Sequence, residues 1–69
     1  MLTIQDLLDQ FEIQGEYQIA TYDDKAEKRI ILAEGYEIGF SKIKDEYKDA
    51  EINYMYAEDN KLIIEISFI

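Results

Sequence analysis

The period of the apolar positions changes along the chain. Ile4, Leu7, Leu8 and Phe11 repeat at helical spacing, which turns Gln5, Asp6, Asp9 and Glu12 toward the other side. Thr3 stands where an N-cap belongs, Asp6 follows three residues on, and Leu2 and Leu7 occupy the two positions of a hydrophobic staple. The pattern predicts a helix that starts there and stops at Gly15. From Tyr17 the stretch "YQIATYDDKAEKRIILAEG" reads as two β-branched or aromatic runs joined by the polar segment Asp23 to Lys28, a hairpin with a loose loop. "YEIGF" then alternates Tyr36, Ile38 and Phe40 against Glu37 and Gly39, either as a third short strand or as a continuation bent at Gly35.

Ser41 can cap a second helix, "KIKDEYKDA", in which Ile43, Tyr47 and Ala50 share a face and Lys42 and Glu46 stand at i,i+4. "EINYMYA" and "KLIIEISFI" alternate in period two around "EDN". On that pattern Ile52, Tyr54 and Tyr56 line one face, and Leu62, Ile64, Ile66 and Phe68 another. The expected fold is α+β: an antiparallel sheet of four or five strands with two short helices packed on one face. Both halves loosely read helix then hairpin, without the similarity of a true repeat.

Length and composition narrow this. Sixty-nine residues leave room for one domain, residues 1–69, with one thin core. Hydrophobic residues form 48% of the chain and aromatics 13%, too many for a disordered acidic tail. With no cysteine, stability has to come from packing or self-association, and a reducing cytoplasm suits the chain. "MLTIQDLL" has neither the basic region nor the long apolar run of a signal peptide, and no segment approaches a membrane span.

Much chemistry is missing. There is no histidine or cysteine, which removes the commonest general base, the usual zinc ligands and the strongest nucleophile. Gly15, Gly35 and Gly39 fit no phosphate-cradling loop, and "YDDKAEK" and "AEDNK" lack the ligand spacing of a calcium loop. The expectation is a protein that is not an enzyme, with no cofactor and no metal.

Charge is the stronger signal. Sixteen acids against seven bases give a net −9, which would repel nucleic acids and anionic membranes and attract a basic protein. Residues 1 to 24 hold Asp6, Asp9, Glu12, Glu16, Asp23 and Asp24 with no base, and residues 49 to 60 hold Asp49, Glu51, Glu58 and Asp59 with none. Residues 25 to 48 contain every base except Lys61 and are near neutral. Like charges kept together cost stability by self-repulsion, so the two windows are candidate contacts for a partner. Carboxylates at i,i+2 on a strand or i,i+4 on a helix are about 6 to 7 Å apart, close to the phosphate spacing of one nucleic-acid strand. Tyr22, Tyr54 and Tyr56 add flat groups where bases would stack. Solvation alone would account for many of the acids, and tyrosines at period two commonly sit half-buried in a sheet.

"MLTIQDLLDQF" and "LAEGYEI" resemble, in style and without a diagnostic motif, the short acidic proteins of phages and conjugative elements of Gram-positive bacteria, some of which are anti-CRISPR inhibitors. That resemblance implies an acidic DNA mimic acting on a Cas9-type nuclease, whose PAM-reading arginines the carboxylates would occupy. The competing expectation is a structural or interaction module. "KLIIEISFI" sets Ile63 and Ile69 opposite Leu62, Ile64, Ile66 and Phe68, so a homodimer or a partner strand at the sheet edge could cover both faces.

Overall fold

The computed structural model describes residues 1–36 and 45–67. Helix α1 (Ile4–Gln10) starts as its sequence dictates. Thr3 Oγ1 accepts from the Asp6 amide at 3.1 Å and Asp6 Oδ2 accepts from the Thr3 amide at 3.1 Å, a reciprocal capping box that satisfies two amides of the first turn. It ends sooner than Gly15. Phe11 is already extended (φ −137°, ψ 150°) and 63% exposed, because the chain must reverse into the sheet and Ile13 takes the buried place instead. Gly15 serves that reversal with φ 90°, a conformation a side chain would strain.

After α1 come β1 (Glu16–Asp23), β2 (Lys28–Tyr36), the helix α2 (Asp45–Lys48), β3 (Glu51–Glu58) and β4 (Lys61–Ser67). Across the sheet the order is β2-β1-β4-β3. Each hairpin is antiparallel, but β1 and β4 run parallel. The expected antiparallel sheet with two helices packed on one face is therefore wrong: the sheet is mixed, and among the described residues it carries one short helix, α1, with α2 contributing only Asp45–Lys48. Burial explains the arrangement. Tyr17 to Ala20 in β1 and Ile63, Ile64 and Ile66 in β4 are buried on both faces, which suits central strands. β3 begins on the far edge of the sheet and at the end opposite to where β2 stops, so β2 and β3 run the same way and the two central strands, β1 and β4, are parallel.

Tyr47 and Ala50 are buried, in keeping with their expected face, whereas Ser41, Lys42, Ile43, Phe68, Ile69 and the part of "YEIGF" beyond Tyr36 lie outside the described residues. β2 continues through Gly35 to Tyr36, pairing Gly35 with Tyr17. The Tyr17 ring lies over that glycine, where an added Cβ would meet its hydroxyl at 3.2 Å.

Ile4, Leu7, Ile13, Tyr47 and Ala50 pack on Tyr17, Ile19, Ile64 and Ile66 to form the core on one face of the sheet. Two bulges reset the alternation of the edge strands. Leu32 is extra between the pairs Ile19–Ala33 and Ala20–Ile31, and Asn53 is extra between Ile52–Ile66 and Tyr54–Glu65. The second bulge overturns the expectation that Ile52, Tyr54 and Tyr56 share a face: Ile52 joins the core, and the two tyrosines lie on the opposite face. The halves are not equivalent either, since the first hairpin places its first strand centrally and the second its last.

Candidate functional site

The sheet divides both acidic windows. β1 is eight residues long, so Glu16 and Asp23 stand at opposite ends, about 23 Å apart along the strand. Asp23 and Asp24 occupy the β1–β2 turn, at the same end as Asp49 and Glu51. Glu16 is level with Lys61, which pairs with Glu58, so Glu16, Glu58 and Asp59 gather at the other end. Asp6 and Asp9 lie on α1, and Glu12 on the segment after it. Among the described residues no strand carries carboxylates at i,i+2, so any phosphate-like row has to run between elements.

Several of these side chains serve the fold. Asp6 closes the capping box, and Asp23 Oδ1 accepts from the amides of Lys25 at 3.0 Å and Ala26 at 3.2 Å, shaping the β1–β2 turn. Glu16 Oε1 accepts from Tyr36 Oη at 2.6 Å, which holds the Tyr36 hydroxyl above its ordinary pKa by favouring the protonated form. Glu51 is half-buried where it bridges Thr3, and the Ile52 amide donates to the Leu2 carbonyl at 2.7 Å. Asp9, Glu12, Asp24, Asp49 and Asp59 are exposed and make no side-chain bond among the described residues, and Tyr54 is 66% exposed.

Glu58 and Tyr56 belong to a network that spans the sheet on the face away from the core. Arg29 Nη1, from edge strand β2, donates to Glu58 Oε2 at 2.8 Å and to Tyr56 Oη at 2.8 Å, both on the opposite edge. Tyr56 Oη in turn donates to Glu65 Oε2 at 2.6 Å. Flat edge strands would stand about 14 Å apart, so the contact depends on the twist that brings diagonal corners of a sheet together. The bond to Glu65 pushes the Tyr56 hydroxyl up, with Arg29 opposing, and the bond to Glu58 pushes the Arg29 guanidinium up. Ala20 and Ile63, at the centre of this face, are 0% and 1% exposed, so the chain covers Ile63 itself. Gln18, beside them, donates to Glu34 Oε2 at 3.3 Å, while its buried Oε1 has no partner.

Arg29 and Glu65 were not singled out from the sequence. The signal available was that Arg29 is the chain's one arginine, set among lysines. Also missed was an apolar groove of ≈ 330 Å³ on the core side, lined by Leu7, Phe11, Ile13, Met55 and Leu62 with Glu12 and Gln14 at its rim. It exists because a seven-residue helix is too short to cover four strands. Phe11 and Met55 remain 63% and 47% exposed beside it. Among the described residues no three acids converge as a metal site would require, and no helix is long and apolar enough to cross a membrane.

No family model matches the chain, and no curated protein or solved structure is significantly similar to it.

Proposed function

We propose that this chain is an acidic binding protein that inhibits a basic, nucleic-acid-binding partner by presenting carboxylates in place of DNA phosphates, with a Cas9-type nuclease as the concrete case. The observation that carries the reading is the exposure of Asp9, Glu12, Asp24 and Asp59 without a counter-charge among the described residues, on a chain of net charge −9. Such groups attract cations at long range and raise the rate of encounter. The carboxylates of this surface lie on α1 and at the two ends of the sheet, while Tyr54 is exposed on the opposite sheet face and stands apart from α1.

Affinity capture from a lysate containing a Cas9-type nuclease, eluted in salt steps, tests this. The expected result is retention of a basic nucleic-acid enzyme that modest salt releases and DNA displaces. Absence of any salt-sensitive partner overturns it. A second reading, an interaction module working through its sheet edge, is favoured by the exposed apolar pair Phe11 and Met55 beside β3. The homodimer version loses one motive, because Ile63 is already covered within one chain.

A further inference from the structure

We infer that the outer edge of β3 is a docking site for an extended, basic segment of the partner, which pairs as a fifth strand and sets one large apolar side chain into the Phe11–Met55 groove. The inference rests on the proposed function and names the mode of contact.

β3 is an edge strand, and only its beginning is covered, where Thr3 bridges Glu51 and Leu2 accepts from the Ile52 amide. From Asn53 to Glu58 its outer side has no backbone partner among the described residues. Tyr54 to Glu58 lies beyond the bulge and pairs regularly with β4, so it offers an undistorted template. The groove opens beside Met55 on the core face, within reach of alternate side chains of an added strand.

Charge decides the occupant. The edge runs between Asp49 and the half-buried Glu51 at one end and Asp59 at the other, where Glu58 is already paired with Arg29, and Glu12 stands on the rim of the groove. A segment with Lys or Arg at both ends and an apolar centre fits; a second copy of a chain carrying −9 does not. The other edge is unsuited, since β2 begins with Lys28 and Arg29 and is broken at mid-strand by the Leu32 bulge.

The test uses the full chain and two labelled peptides, Arg-Thr-Val-Leu-Val-Thr-Lys and the same sequence with Glu at both ends, compared by fluorescence anisotropy. The basic peptide is expected to bind about tenfold tighter or better. Amide shifts should concentrate at Asn53–Glu58 and the groove. Met55→Asp is expected to weaken binding about tenfold, and Phe11→Ser, on the exposed rim, serves should that variant misfold. Equal binding of both peptides, binding of neither, or shifts centred on β2 would overturn the inference. A chain that captures a basic enzyme yet ignores the basic peptide keeps the charge-driven reading and loses the edge. One that binds this peptide through β3 and captures nothing keeps the edge and loses the inhibitor.

Discussion

Gln18 and Tyr56 show how single side chains on the outer sheet face divide between cost and gain. Gln18 is 5% exposed and leaves its Oε1 without a partner, an arrangement that costs free energy because a buried acceptor has given up water. Glu34, which accepts its other end, has access to solvent. Gln18→Met is therefore expected to be neutral or stabilising by up to about 1 kcal/mol in urea unfolding. On the core face, Ile64 is fully buried, and Ile64→Ala should lower stability by about 2 to 5 kcal/mol in the same assay. Tyr56 donates to Glu65 only while protonated, and its pKa is raised in the folded chain. The bond's contribution is complete below the unfolded tyrosine value, about 10, and is lost as pH rises through the higher folded value. Melting temperatures across the alkaline range should thus fall less steeply for Tyr56→Phe than for the parent chain. An equal fall would assign the loss to other groups, Tyr36 among them.

The individual elements differ in how openly their sequences declare them. The α1 start was legible because a capping box depends only on residues within one turn. The β3–β4 hairpin was legible for a similar reason: Asp59 and Asn60 both take positive φ, 51° and 65°, as a two-residue turn between twisted strands requires. Asn60→Ala, placing a residue averse to that conformation there, is expected to cost about 1 to 2 kcal/mol, measured against Asn60→Gly as the permissive control. The bulges were not legible. Asn53 and Leu32 are ordinary strand neighbours in sequence, and the extra residue is defined only by what the partner strand offers opposite it. One bulge sufficed to move Tyr54 and Tyr56 to the other face from Ile52.

For the whole molecule, the crossing from one sheet edge to the other brings the two hairpins together and decides which charges are neighbours. Acids separated by dozens of residues, such as Glu16 and Asp59, gather at one end, while Glu16 and Asp23 from a single strand are parted. A partner drawn by charge should therefore respond to acids from several segments at once. Asp9→Asn with Asp24→Asn and Asp59→Asn is expected to weaken capture of a basic partner and to flatten its salt dependence, read as affinity at low and high salt. Unchanged affinity would return these carboxylates to plain solvation.

The local steps were determined by sequence alone: the helix start, both hairpins, the absence of histidine and cysteine chemistry, and the acidic balance. Each depends on residues a few positions apart or on composition, where capping, turn conformation and net charge operate. Strand order, the parallel central pair, the bulges, the Arg29 network and the groove beside Met55 were decided only by tertiary structure. These follow from burying two apolar strands on both faces at once, a requirement of the assembled sheet that no short stretch of the chain expresses.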